Sequence, residues 1–236
     1  MFKTLRTLFK IIVYLFRSRK ELKIAQKLDK EGNLVERDKI VDTKVPDWAK
    51  FCIDATGSSV NVKGEELIPT DRAVVFIANH QGNMDIPTLL GFIKKPKAFV
   101  SKIEILKVPI LSKWMALMQC TFLDRKNMRQ SVQAMAEAVE TIKKGYSLVI
   151  FPEGTRSKGG PVKEFKAGSF KLAFKSGAPI VPVTIDGTWR ILEETGHIKP
   201  AQVKITIHKP IFIENLSKEE LHAIPAQVQK TVESCL

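Results

Sequence analysis

The chain has 236 residues with 44% hydrophobic content, which is enough for one substantial core with a small appended element. Its three cysteines have no CxxC spacing and its four histidines no metal-ligand spacing, which argues against a disulfide scaffold and predicts no bound metal. The net charge of +13 favours polyanionic partners, among them nucleic acid, anionic lipid, acidic carrier proteins and phosphorylated substrates.

The first twenty residues, MFKTLRTLFKIIVYLFRSRK, hold six basic residues and no acidic one, and their apolar residues recur at helical spacing. The longest uncharged run, Ile11 to Phe16, is far shorter than the roughly 20 residues that a membrane span needs. The pattern predicts an amphipathic helix lying in the interface of an anionic membrane. An ordinary helix docked at the edge of a domain is the alternative.

The stretch that follows, KLDKEGNLVERDKIVDTK, is polar, charged and interrupted by Gly32. It predicts a helix end and an exposed connector. We therefore divide the chain into an N-terminal helical membrane-interface element with its connector, residues 1–59, and an α/β domain, residues 60–236.

Short β-rich runs alternate with stretches of helical period throughout the second part. The strand candidates are SVNVKG, RAVVFIAN, KAFVS, CTFLD, SLVIF, PIVPVTI and VKITIHKPI. Met128 to Lys144 has one apolar face and is followed by Gly145, which predicts a helix that ends there. This alternation predicts an α/β fold with a largely parallel, mixed sheet covered by helices.

Four potential site residues follow four of these strands. His80 follows AVVFIA, Lys102 follows AFVS, Arg125 follows CTFLD, and Arg156 lies in the loop after SLVIF. The carboxyl ends of parallel strands share one rim, where ligands bind. The sequence therefore predicts one histidine and three cations at the same rim, an arrangement suited to acid–base chemistry beside an anion.

The histidine belongs to the segment NHQGNMD, in which Asp85 comes five residues after His80. Neither a helix nor a strand brings these side chains together, but the turn chemistry of Gly82-Asn83 can. A carboxylate on one ring nitrogen would fix the tautomer, leaving the other nitrogen to take a proton from a substrate hydroxyl. The spacing alone is a weak signal, and a histidine that caps a helix is the alternative.

The segment FPEGTRS follows a buried run, and its composition predicts a phosphate-binding loop. Gly154 lets the backbone approach a ligand, Thr155 and Ser157 carry hydroxyl donors, and Arg156 offers a planar fork for phosphate. Glu153 is expected to orient Arg156 or neighbouring donors, or to contact a substrate hydroxyl. A plain turn with a solvated arginine is the alternative.

In order and spacing, NHQGNMD, FLDR, FPEGTRS and IVPV resemble the four sequence blocks of the glycerolipid acyltransferase family. The resemblance covers roughly residues 60–210, and FPEGTRS is its most specific block. It implies transfer of a fatty acyl group from acyl-CoA or acyl carrier protein to the free hydroxyl of lysophosphatidic acid, which gives phosphatidic acid. It also implies no further cofactor, and attachment to the cytoplasmic membrane face through an N-terminal helical element.

Carried onto this chain, the resemblance makes His80 the general base and Asp85 its orienting partner. Pro182 would shape the pocket. The glycerol phosphate would be bound by Arg125, Glu153, Gly154, Thr155 and Arg156, with Lys102 as a helper. Two positions depart from the family pattern, which usually has serine at Gly82 and glycine at Gln119.

Two other functions compete with this one. A related acyltransferase could use glycerol 3-phosphate or another lysophospholipid as acceptor. A non-catalytic protein that binds membranes or nucleic acid would also explain the basic charge. Nucleic-acid binding is disfavoured because the densest cations lie along an apolar stripe rather than among exposed aromatic residues.

Overall fold

The computed structural model describes residues 2–236, and in this range seven strands form one sheet in the order β1-β7-β6-β2-β5-β3-β4. Every neighbouring pair is parallel except β6 and β7, which run antiparallel. The predicted mixed, largely parallel sheet is confirmed, and each of the seven predicted runs contains a strand. The strands are β1 (Ser59–Lys63), β2 (Val75–Ala78), β3 (Ala98–Lys102), β4 (Thr121–Leu123), β5 (Leu148–Ile150), β6 (Ile180–Asp186) and β7 (Gln202–Ile207).

Helices cover both faces of the sheet. They are α1 (Phe2–Arg17), α2 (Arg19–Lys30), α3 (Leu34–Thr56), α4 (Asp85–Phe92), α5 (Pro109–Leu117), α6 (Met128–Lys143), α7 (Lys171–Ser176), α8 (Trp189–Leu192) and α9 (Lys218–Glu233). In β2, Phe76 and Ala78 join the core under α3, α4 and α5, whereas Val75 and Ile77 join the core under α6, α7 and α9. Burial on both faces explains why this strand is a continuous apolar run.

The connector predicted near Gly32 is wrong, because the chain turns only at residues 31–33 and then forms the 23-residue helix α3. Val41, Val45 and Ala49 recur at helical spacing and are buried against the sheet domain. Arg37 is 2% exposed and donates to Asp29, Asp38 and Tyr146. The many charged residues between 27 and 44 favoured an exposed connector, but the helical spacing of the apolar residues already indicated a buried helix face.

Helix α1 packs on α3 through one face and leaves apolar residues exposed on another. The rings of Tyr14 and Phe51 stack with centroids 4.7 Å apart, and Thr7 is buried. On the opposite side Phe2 is 80% and Phe9 66% exposed. No helix within residues 2–236 has the length and apolar character to cross a bilayer. The division of the chain at residue 59 stays a prediction.

Candidate active site

Strands β2, β5, β3 and β4 are consecutive, parallel neighbours, so their carboxyl ends form one rim. His80 lies two residues beyond β2, and the loop with Arg156 follows β5. Arg125 lies two residues beyond β4, and Lys102 is the last residue of β3. The predicted placement of all four residues at one rim is confirmed.

The turn between His80 and Asp85 brings the two side chains into contact, as predicted. The Nδ1 atom of His80 lies 2.6 Å from Oδ2 of Asp85, which is the first residue of α4 and has no exposed surface. The same Oδ2 accepts backbone N–H bonds from Gln81 at 2.6 Å and Gly82 at 2.9 Å. The ring of His80 stacks on Phe151 at 4.1 Å. These contacts hold the imidazole on both its edge and its face.

Thr188, which sequence reasoning missed, completes the shell around Asp85. Its hydroxyl donates to Oδ1 of Asp85 and lies 3.3 Å from Oε1 of Gln81, which also accepts the N–H of Gly187 at 2.8 Å. Thr188 is fully buried and comes 103 residues after Asp85. No local pattern signals such a partner, because the contact exists only after β6 has paired with β2.

Glu153 connects the phosphate loop to the histidine turn. Its side chain is buried, Oε1 accepts the backbone N–H of His80 at 2.6 Å, and Oε2 accepts that of Lys163 at 3.0 Å. Burial raises the pKa of its carboxyl group, and the two N–H donors oppose that change. Glu153 thus contacts backbone N–H groups rather than Arg156, and the role expected for it stays a prediction.

The phosphate loop is bonded to its neighbours on both sides. Arg125 donates from Nη1 to the carbonyl oxygen of Gly154 at 2.6 Å. Gly154 has a φ of +69°, a conformation that glycine adopts without strain. The N–H of Ser157 donates to the carbonyl oxygen of His80 at 2.8 Å, and the N–H of Lys158 donates to that of Gln81 at 3.0 Å, so the loop is hydrogen-bonded directly to the histidine turn.

Cationic groups surround this loop. The ammonium of Lys166, absent from the sequence prediction, comes within 3.2 Å of the position that a Cβ atom on Gly154 would occupy. Thr155 and Lys102 are exposed, and their side chains make no hydrogen bond or ion pair with residues 2–236. The structure thus brings Arg125, Arg156 and Lys166 to the loop and leaves Lys102 on the surface nearby.

Arg156 is held beside the histidine turn. Its Nη1 donates to Oδ1 of Asn83 and lies 3.5 Å from Oε1 of Glu193. Its side chain remains 36% exposed. Within the described residues, Nε and Nη2 of Arg156 have no hydrogen-bond partner, so two nitrogens of the guanidinium, with three N–H groups, face no protein acceptor.

An apolar cavity of about 340 Å³ begins at the histidine turn and extends beneath the N-terminal helices. No acidic residue lines it. Its lining includes Asn83, Met84, Ile86 and Pro87 from the turn and α4, Leu8, Ile11 and Leu15 from α1, Val45 and Trp48 from α3, and Leu111, Trp114 and Met115 from α5. The site therefore combines a histidine, a cationic loop and an adjacent apolar cavity.

The two departures from the family pattern have structural explanations. A Cβ atom on Gly82 would lie 2.5 Å from Oε2 of Glu193, so the carboxylate fills the space of a side chain there. Gln119 has a φ of +64° just after α5, a left-handed position that favours glycine. The family glycine at position 119 thus matches a backbone requirement that this chain meets with a strained glutamine.

Comparison with known proteins agrees with this geometry. The family model described as "Acyltransferase" matches residues 59–186. A chloroplastic 1-acyl-sn-glycerol-3-phosphate acyltransferase of Arabidopsis thaliana is 40% identical over 155 residues, which cover 64% of this chain and 43% of that protein. A probable enzyme of the same name from Mycoplasma pneumoniae is 37% identical over 63% of this chain and 57% of its own length. The chain thus spans about half the length of these curated relatives.

A solved structure extends the likeness to nearly the whole chain. The crystal structure of the 1-acyl-sn-glycerophosphate (LPA) acyltransferase PlsC from Thermotoga maritima superimposes with a TM-score of 0.85 and 33% sequence identity. The match covers 99% of this chain and 95% of that one, so it includes the N-terminal helices as well as the sheet domain. On this evidence, the chain belongs to the acyltransferase family.

Proposed function

We propose that this protein transfers a fatty acyl group from a thioester, acyl-CoA or acyl carrier protein, to the sn-2 hydroxyl of lysophosphatidic acid, forming phosphatidic acid. The observation that carries the proposal is the His80–Asp85 pair, which is hydrogen-bonded to the cationic loop and belongs to the same turn as Asn83 and Met84, two residues that line the apolar cavity. The names of the relatives support the choice of acceptor.

In the proposed reaction His80 is the general base. Because Nδ1 is bonded to Asp85, the Nε2 atom, which has no partner among residues 2–236, is the nitrogen that can accept a proton. It takes the proton of the acceptor hydroxyl as that oxygen attacks the thioester carbonyl. The imidazolium then returns the proton to the thiolate when the tetrahedral intermediate collapses. Asp85 stabilises the imidazolium between the two steps.

The cationic loop would bind the acceptor phosphate. Arg156 has two unpaired nitrogens, Nε and Nη2, in a planar fork, and Thr155 adds an exposed hydroxyl. Arg125 shapes the loop through the carbonyl of Gly154 and adds positive charge. Glu153 would stabilise the relative position of the two loops, because each of its oxygens accepts a backbone N–H bond, one from His80 and one from Lys163.

The apolar cavity would take an acyl chain. Its walls are almost entirely apolar, and Asn83 and Met84 of the histidine turn are part of its lining. A chain seated there would place its carbonyl end near His80. Burial of each methylene would contribute about 0.8 kcal/mol.

The exposed face of α1 would place the enzyme at its substrate. Phe2, Leu5, Phe9 and Ile12 are each more than half exposed, and the same helix carries basic residues that suit anionic head groups. We therefore propose peripheral or monotopic attachment to the cytoplasmic face of the membrane. No role for nucleic acid is proposed.

The test is acceptor-dependent release of free thiol from palmitoyl-CoA, and from palmitoyl carrier protein, in liposomes containing lysophosphatidic acid. Wild type should release thiol and form phosphatidic acid, and His80→Ala should not. His222→Ala is the matched control, because that histidine is exposed on α9. Parallel reactions with glycerol 3-phosphate and with other lysophospholipids identify the acceptor. Turnover by His80→Ala at the wild-type rate, or no turnover with any acceptor, would contradict the proposal.

A further inference from the structure

Glu193 carries a buried carboxylate in the wall of the acceptor site, just after α8. Its side chain is 5% exposed. Oε1 accepts the backbone N–H of Asn83 at 2.7 Å and lies 3.5 Å from Nη1 of Arg156. Oε2 is buried and has no hydrogen-bond partner among residues 2–236. Leaving a carboxylate oxygen in this state is unfavourable, which indicates that the group serves a purpose other than stability.

The histidine turn is built to admit this carboxylate. A Cβ atom on Gly82 would lie 2.5 Å from Oε2 and 2.9 Å from the carboxyl carbon of Glu193. Any side chain at position 82 would therefore push Glu193 away from both Asn83 and Arg156. The glycine and the carboxylate form a matched pair, although they are far apart in the sequence.

We propose that Glu193 is a positioning residue for the acceptor phosphate, acting through Arg156. This inference rests on the proposed function of the site. Glu193 and Asn83 together hold Nη1 of Arg156, so that Nε and Nη2 point away from the protein acceptors and stay free for phosphate oxygens. Because Arg156 is partly exposed, its guanidinium would otherwise lose rotamer freedom when the acceptor binds.

The two explanations for Glu193, orientation of Arg156 and a simple charge effect, predict opposite changes in the acceptor KM when the carboxylate is removed. Glu193 brings negative charge close to the phosphate site, so removing that charge should favour a dianionic acceptor if charge alone matters. If Glu193 orients Arg156, its removal should weaken acceptor binding in spite of the more positive field. The sign of the change in KM therefore separates the two explanations.

The experiment compares Glu193→Gln with wild type in the thiol-release assay, varying lysophosphatidic acid and palmitoyl-CoA in turn. We expect the KM for lysophosphatidic acid to rise about three- to tenfold, which is the size of one weakened contact to a charged group. The kcat and the KM for the thioester should stay near wild type. Glu194→Gln is the matched control, since Glu194 is the neighbouring, exposed carboxylate. In an Arg156→Ala background Glu193→Gln should not raise the acceptor KM further.

Asn83→Ala keeps the test decisive if Glu193→Gln does not fold, as judged by thermal unfolding. Asn83 is exposed and provides the other acceptor for Nη1 of Arg156, so its loss should also raise the acceptor KM. An unchanged or lowered acceptor KM in an active Glu193→Gln enzyme would overturn the inference alone, and so would a rise in the acceptor KM that persists without Arg156. A wild-type enzyme that does not acylate lysophosphatidic acid would contradict the proposed function itself, and the inference with it.

Discussion

The substitution Asp85→Asn would separate the charge of Asp85 from its geometry. Oδ2 of Asp85 faces three donors, the ring nitrogen of His80 and the N–H groups of Gln81 and Gly82. Asparagine must place its oxygen there, because an amide NH₂ group would meet two backbone N–H groups. The NH₂ group then faces the hydroxyl of Thr188, which can accept that bond and turn its own proton toward Oε1 of Gln81.

The structure therefore predicts that asparagine keeps the tautomer of His80 and removes only the negative charge. The interaction lost in this variant is the charge-assisted hydrogen bond from the imidazolium to Asp85, which is worth about 1.5–3 kcal/mol. Its loss corresponds to a decrease in kcat of about 10- to 150-fold. In the serine-protease triad, by contrast, asparagine in place of aspartate imposes the wrong tautomer and lowers kcat about 10⁴-fold. The free energy of unfolding should change by less than about 1 kcal/mol, since every hydrogen bond retains a partner.

The assay is steady-state thiol release with saturating lysophosphatidic acid, paired with urea unfolding of the same variant. Asp85→Ala serves as the second variant, because it leaves two backbone N–H groups and the ring without an acceptor and should lower both stability and kcat more strongly. A loss of about 10⁴-fold in folded Asp85→Asn would show that the backbone donors do not fix the amide orientation. An unchanged kcat would show that the charge of Asp85 takes no part in the reaction.

Three further predictions concern positions outside the catalytic pair. Thr188→Val should leave one oxygen of Asp85 without a donor, lowering the free energy of unfolding by about 1–3 kcal/mol in urea titrations and reducing kcat. Gln119→Gly should raise the free energy of unfolding by up to about 1 kcal/mol at unchanged kcat/KM, because it relieves a left-handed backbone. Burial lowers the pKa of Lys97 from 10.5 to about 7, so the unfolded state binds more protons between these values and stability should rise with pH across that window. Lys97→Met should flatten that rise, and a wild-type stability that falls from pH 7 to 10 would contradict the assignment.

Much of the fold could be predicted because its signals are local. The seven strands are short β-rich runs, and the residues that follow four of them meet at one rim as the rule for parallel sheets requires. The contact between His80 and Asp85 was predictable from the turn residues between them. The chemical roles of the site residues stay predictions.

The features that were missed depend on contacts between distant segments. Helix α3 was overlooked because charged residues outnumber apolar ones in its first half, residues 34–44, although Val41, Val45 and Ala49 follow a helical period. Thr188 and Glu193 were overlooked for a different reason. Each touches the histidine turn from more than 100 residues away, and no neighbouring residue marks either one.

Gly82 shows how such distant contacts change the meaning of a motif position. Within the sequence block, glycine in place of the usual serine suggests a lost hydroxyl contact beside His80. In the structure, the same glycine leaves room for the carboxylate of Glu193, which then meets Asn83 and Arg156. Gly82 therefore makes room for a side chain that links the catalytic turn to the phosphate loop. It follows that Gly82→Ser should impair this enzyme while Glu193 is present, and should do less harm when Glu193 is replaced by alanine.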